Sequence, residues 1–361
     1  MQWNTLLSDS LKNNIEHWKR QITNQELAEK ASFSQESAIA YSRLTAELSD
    51  ILLGPVYKQN PHQLYIVSDG ILSGLPFGTL SISPGYQGNT QSFQDINYLV
   101  KTLIITYLPS ANALLIPSHN SKAKGEYVGF APSYDSYLSA APSRGVRSPL
   151  LHNVEEVQYA SKTMAGKAIL GEGASKETFL QKAPKANMLH LALHAFMDED
   201  DPMQSALFFS EDNRDSSDAL RAFEIYALSL QADLTILSAC QSGSGPVTSA
   251  EGVLSLGRAF QYAGCSNLLV TQWKMDDKAS LSVMKAFFKN LNNSPVSDAL
   301  GKAKLAYLEQ EDLAHPYYWG GWVSVGKNNT ISINRTNYIP WLLGCIVFII
   351  SILAIKKRKN E

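Results

Sequence analysis

The chain is short of cysteine, short of charge and has no long apolar run before its last stretch, and each shortage removes a class of protein. Only three of its 361 residues are cysteines, Cys240, Cys265 and Cys345, so no disulfide framework carries the fold and the thiols are read as free. Charged residues make up 18% and the formal net charge is −2, which supplies neither a basic face for nucleic acid nor an acidic solvating tail. The opening Met1-Gln2-Trp3-Asn4-Thr5-Leu6 has no basic start and no continuous apolar core, so it does not read as a secretory signal. There is no internal repeat. Gln241-Ser242-Gly243-Ser244-Gly245 does not set a serine between glycines at the spacing of a hydrolase nucleophile elbow. His190 and His194 stand four apart, but Leu191 follows the first where the helical zinc motif needs Glu, so no metal is expected, and no cofactor.

What is present begins at the C-terminal end. Residues 339–355 carry no charge, Tyr338 and Trp341 stand at one border, and Lys356, Lys357, Arg358 and Lys359 follow. A run apolar on all faces, at about the shortest length that crosses a bilayer, is read as a transmembrane helix at 338–355 rather than a buried core helix. It follows a polar linker at 328–337 and precedes a basic tail at 356–361. The expected localisation is a membrane, held by a single C-terminal span. The basic tail favours an external domain while the missing signal argues against export, so the side is left open.

Ahead of this, residues 1–53 read as amphipathic helices, with apolar positions at Ile15, Trp18, Ile22, Leu27, Ala31, Tyr41, Leu44 and Leu48. Residues 54–327 form a second region in which short apolar strands alternate with helical stretches. Strands are expected at 64–67, 103–107, 127–130, 189–193, 206–209, 234–237 and 268–271. Helices are expected at 154–164, 176–182, 219–227, 251–262, 279–291 and 297–310. That alternation predicts an α/β fold with a mostly parallel sheet and helices on both faces. Segments 81–94 and 133–149, rich in Ser, Gly and Pro or Asn, read as surface loops.

The run Leu234-Thr235-Ile236-Leu237-Ser238-Ala239-Cys240 delivers a thiol to turn-forming residues, and Met188-Leu189-His190-Leu191-Ala192-Leu193-His194 delivers an imidazole in the same way. Ligands in open α/β sheets bind beyond the carboxyl ends of the strands, so neighbouring parallel strands would bring this pair to one edge. A nearby imidazole lowers a thiol's pKa and takes its proton, which makes Cys240 the candidate nucleophile and His194 the candidate base. Backbone amides at Cys240 and at Ala195, just after His194, are the candidate oxyanion donors. His190 is read as a hydrogen-bonded interior residue and Cys265 as a packing residue. Asp276 and Asp277 follow the strand at 268–271, where they fit a helix cap or a receiver for a basic substrate side chain. Glu251 fits a capping box with Thr248.

Four stretches together carry a family likeness: Asp69-Gly70-Ile71-Leu72-Ser73-Gly74-Leu75-Pro76-Phe77; the segment ending His194; Leu237-Ser238-Ala239-Cys240-Gln241-Ser242-Gly243; and Glu251-Gly252 through Trp273 and Asp277. In this order they resemble the CHAT domain, a caspase-like module related to caspases, separases and gingipain-type peptidases. The resemblance implies a caspase-like three-layer α/β/α sandwich with a His194/Cys240 dyad. Joined to the C-terminal span read above, it leads to the expectation of a membrane-anchored, regulatory cysteine endopeptidase, of bacterial type, acting on a protein or peptide substrate. Many relatives carry tetratricopeptide repeats ahead of the domain, so the N-terminal helices are expected to meet a regulatory protein partner. Ala195 departs from the glycine that follows the histidine in many clan members. The rival reading is a catalytically silent CHAT module that recruits partners to the membrane.

Overall fold

The computed structural model describes residues 8–57, 59–82, 90–115, 126–134, 150–198, 200–209, 218–238, 251–292, 294–310 and 312–331, with the side chains of 251–255 left aside. Three helices open it: α1 (Asp9–Thr23), α2 (Gln25–Ala31) and α3 (Gln35–Tyr57). Ser8 caps α1 and Asn24 caps α2, each accepting a hydrogen bond from a first-turn N–H. Ile15, Trp18 and Ile22 recur at helical spacing, are buried, and join the main apolar core. Trp18 donates to the Tyr41 hydroxyl (3.2 Å), which donates to the Thr79 carbonyl (3.1 Å). The N-terminal helices are thereby part of the same packed body as the sheet.

The sheet has eight strands: β1 (Gln63–Ile66), β2 (Ile104–Tyr107), β3 (Glu126–Ala131), β4 (Lys167–Leu170), β5 (Ala186–Leu191), β9 (Leu234–Leu237), β10 (Asn267–Thr271) and β11 (Trp322–Gly326). Between β5 and β9 in the chain lie β6 (His194–Phe196), β7 (Ala206–Phe208) and β8 (Ala219–Arg221), which form a separate three-stranded antiparallel sheet. The main sheet runs β1-β2-β11-β10-β9-β5-β3-β4, parallel throughout except where β11 meets β10. Every residue of β5, β9, β10 and β11 is buried, so both faces of the centre are covered, as parallel sheets require. Helix α4 (Asn153–Thr163) packs on β3 and β4, and α7 (Glu251–Tyr262) packs on β10. Helix α9 (Val296–Gln310) packs on β2 and β11 and against α8 (Asp277–Asn290). The result is an α/β fold with a mostly parallel sheet.

Several boundaries differ from the sequence reading for identifiable reasons. The apolar run at 189–193 reads as one strand delivering His194, but β5 stops at Leu191. Ala192 still donates to the Phe130 carbonyl (3.0 Å), after which the chain leaves the sheet and His194 opens β6. The strand expected at 206–209 belongs to the small sheet. Of the helix expected at 219–227, the first three residues are β8 and α6 is only Ala222–Tyr226. Strands β4 and β11 went unread, one a four-residue strand that starts on a lysine, the other hidden behind Gly320-Gly321. The segment 81–94 is no simple surface excursion: Ser81 bridges to Tyr98, and Phe93 is buried against the His315 ring at 4.5 Å. Among the described residues no helix is long and apolar enough to cross a membrane. The expected linker lies outside the described residues from 332 on, as do the whole transmembrane segment at 338–355 and the basic tail.

Candidate functional site

Strands β5 and β9 lie side by side at the centre of the sheet, parallel, with Leu191 opposite Leu237. On the other flank of β9, Val270 of β10 stands opposite the same Leu237. His194 and Cys240 each follow this paired position by three residues, and Asp276 and Asp277 follow the end of β10. The three strands that precede the three sequence-chosen segments are thus adjacent and parallel, with their carboxyl ends at one edge of the sheet. Cys240 itself lies within 239–250, outside the described residues, as does Thr248.

His194 is buried and pairs with Phe208 in the small sheet. Its main-chain N–H donates to the Tyr134 hydroxyl (3.0 Å), and that hydroxyl donates to the Phe208 carbonyl (2.8 Å). The Tyr134 and His194 rings lie tilted together at 4.5 Å between centroids. Tyr134 therefore fixes the histidine by its backbone and its ring face at once. Asn153 ties the exits of β3 and β5 together, its side-chain amide donating to the carbonyls of Pro132 (3.0 Å) and Ala192 (3.3 Å). Neither residue was picked out from sequence. Tyr134 lies in the segment read as a Ser/Pro loop, where nothing local marks it, and Asn153 reads as an ordinary helix start. Ala195, fully buried, pairs with Leu207, and positive φ among described non-glycine residues occurs only at Asn60, Ala165 and Asn328. Alanine at 195 is therefore unstrained.

His190 has a different setting. It points into the core, fully buried, with Nε2 2.8 Å from Glu156 Oε1 and Nδ1 2.8 Å from the Tyr127 hydroxyl. The Glu156 carboxylate accepts a hydrogen bond from Nε2–H, leaving Nδ1 to accept from the Tyr127 hydroxyl. Burial, and then the Glu156 charge, hold the Tyr127 phenol well above its usual range and so protonated. Gly129, opposite His190 on β3, makes room for this cluster, since a Cβ there would collide with the Tyr127 hydroxyl. His190 is the interior residue its sequence context implies.

Asp276 caps α8, its side chain accepting from the Ala279 N–H at 2.9 Å. Asp277 receives only a long contact from the Leu151 N–H (3.4 Å), and partial burial raises its pKa. Cys265 is buried at the foot of β10, accepts from the Thr235 hydroxyl at 3.1 Å, and burial pushes its thiol up to about 12. Such a thiol is protonated and unreactive at neutral pH. No three His, Cys, Asp or Glu side chains among the described residues are gathered as a metal would need.

The CHAT domain model matches residues 42–327, from within α3 to just past β11. The chain belongs to the CHAT domain family. The Leu75-Pro76-Phe77 turn of this CHAT domain is held by Tyr107, whose hydroxyl donates to the Leu75 carbonyl (2.7 Å) and accepts from the Phe77 N–H (2.8 Å). Tetratricopeptide repeat protein 28 of Homo sapiens is 25% identical over 348 residues, covering 81% of this chain and 13% of the human protein. Its Mus musculus counterpart is 24% identical over 308 residues, covering 76% of this chain and 12% of its own length. The chain thus spans about an eighth of the curated relatives it matches. Among solved structures, the Arg-specific cysteine proteinase gingipain R is similar with a TM-score of 0.49 at 11% identity, over 89% of this chain and 74% of that one. The Saccharomyces cerevisiae separase–securin complex is similar with a TM-score of 0.38 at 14% identity, over 65% of this chain and 14% of that one.

Proposed function

We propose that the chain is a cysteine endopeptidase in which Cys240 is the nucleophile and His194 its base. The observation that supports this reading is the register of β5 on β9: the two residues the chemistry needs stand equally far beyond a directly paired position on adjacent parallel strands. His194 takes the Cys240 proton, and the thiolate attacks the scissile carbonyl. The imidazolium then protonates the leaving amine, and water releases the acyl group from sulfur. The amides of Ala195 and Cys240 are the proposed donors to the oxyanion. Asp277, which has no capping bond of its own, is the better candidate than Asp276 to receive an arginine or lysine side chain before the cut. The span at 338–355 would hold this domain at a membrane, and the exposed surface of the N-terminal helices, with Phe33 standing 79% exposed in the turn between α2 and α3, would meet a protein partner.

A second reading, a silent CHAT module that only recruits partners, draws support from the curated relatives. They are named for tetratricopeptide repeats, and the chain covers a small part of them. One experiment separates the two. A peptide library is incubated with the wild-type chain and with Cys240→Ala. The peptidase reading expects cleavage, enriched after basic residues, that falls by at least about a thousandfold in the variant. Absence of cleavage by the wild type, or equal cleavage by both, supports the silent module. Asp277→Asn is expected to weaken the basic preference while leaving α8 capped by Asp276.

A further inference from the structure

The segment that follows β10, residues 272–277, ends in Asp277 and is seated along one short element, α10 (Pro316–Trp319), with the two glycines after it. The Gln272 N–H donates to the Gly321 carbonyl (2.9 Å), and the Trp273 indole donates to the Tyr317 carbonyl (3.1 Å). The Tyr317 hydroxyl donates to the Lys274 carbonyl (3.1 Å). Met275 lies so close to Gly321 that a Cβ there would stand 2.8 Å from its sulfur. Tyr317 thus holds two consecutive residues, Trp273 through its own main chain and Lys274 through its side chain, just ahead of the Asp276 cap.

Tyr317 is itself fixed. It is buried, its N–H donates to His315 Nδ1 (3.2 Å), and its ring stands edge-on to that of Tyr318 at 5.1 Å. Helix α10 also packs against α1 and α2, and the Tyr317 hydroxyl lies 3.4 Å from Gln25 Oε1 of α2, so the same residue meets the N-terminal helices. We propose that Tyr317 is a positioning residue, which pins the main chain at 273–274 so that Asp277 presents its carboxylate in one place to the basic side chain of a substrate. The proposal rests on the reading of Asp277 as the receiver of that side chain. A carboxylate–guanidinium contact is directional, and a loosened segment weakens it without moving the groups that carry out the chemistry. The loss of the Tyr317 hydroxyl therefore falls on substrate binding rather than turnover.

The test is Tyr317→Phe in the full chain, which keeps the ring and the main-chain bonds and removes only the hydroxyl. Backbone amides at 272–280 should exchange with deuterium several-fold faster, with those of β5 and β9 unchanged. For peptides with arginine before the cut, KM should rise several-fold while kcat stays within about twofold, and peptides cut after apolar residues should be unaffected. Tyr65→Phe, which removes a hydroxyl bonded to the Lys327 carbonyl (3.3 Å) at the opposite edge of the sheet, is the control and should change neither readout. Unchanged exchange at 272–280, faster exchange spread equally over β5 and β9, or a loss carried by kcat would overturn the proposal. If the wild-type chain cleaves no peptide, the peptidase reading fails by itself, and the exchange result alone decides whether Tyr317 pins the segment.

Discussion

His190 and His194 are four residues apart and live in different physical settings. His190 lies inside a central strand, where both ring nitrogens are consumed by Glu156 and Tyr127 and the imidazole serves the core. His194 lies past the strand end, where Tyr134 takes its main-chain N–H and covers one ring face. The lesson is that a strand interior turns a histidine into structure through its ring nitrogens, whereas past the strand end His194 is fixed through its main chain and one ring face. The cysteines divide in the same way: Cys265 is sealed at the amino end of β10, while Cys240 follows the carboxyl end of β9.

The largest effect that sharpens this contrast is on activity. His194→Ala should lower peptide cleavage by about three orders of magnitude, with a modest loss of stability. His190→Ala should do the reverse, destabilising the fold by about 3 kcal/mol by leaving Glu156 and Tyr127 buried without their partner. Denaturant unfolding and cleavage rates on both variants check this, and matching losses in both measurements would erase the distinction. Next in size is Tyr134→Phe, which removes the bonds to His194 and Phe208 but keeps the ring contact. It should cost about 1–2 kcal/mol and lower kcat more than it raises KM, because it positions the histidine rather than binding substrate.

A smaller effect concerns the buried amine of Lys304 on α9, which lies against the Gly320 carbonyl and the Trp319 ring. Its folded pKa, about 7, lies below the ordinary value of 10.5, so between these values the unfolded chain binds more protons than the folded one. Stability from this group therefore rises with pH across that window, by up to about 1.4 kcal/mol per unit, and the penalty is full below it. Lys304→Met should flatten the slope and stabilise the protein at pH 6, as measured by denaturant midpoints. An unchanged slope would show that the amine is solvated.

Much of the fold could be read from hydrophobic pattern because its central strands are buried on both faces, which forces near-continuous apolar runs at β5, β9 and β10. Helices α4, α5 (Lys176–Lys182), α7, α8 and α9 announced themselves by spacing and caps. The pattern failed where apolarity outlasted the hydrogen-bond ladder, as at Ala192 and Leu193, and where strands were short, as at β4, β6 and β8. The site was half visible. His194 is a residue type that advertises chemistry, whereas Tyr134 and Asn153 act through a hydroxyl and an amide brought in from distant segments, which no local pattern records.

The central claim, that His194 activates the Cys240 thiol, is tested most directly by the pH dependence of alkylation at Cys240, followed by peptide mapping in the wild type and in His194→Ala. The wild type should react well below the ordinary thiol range, with the midpoint moving up to about 8.5 in the variant, while Cys265 stays unlabelled in both until the fold is opened. A Cys240 profile unchanged by the loss of His194 would contradict the account.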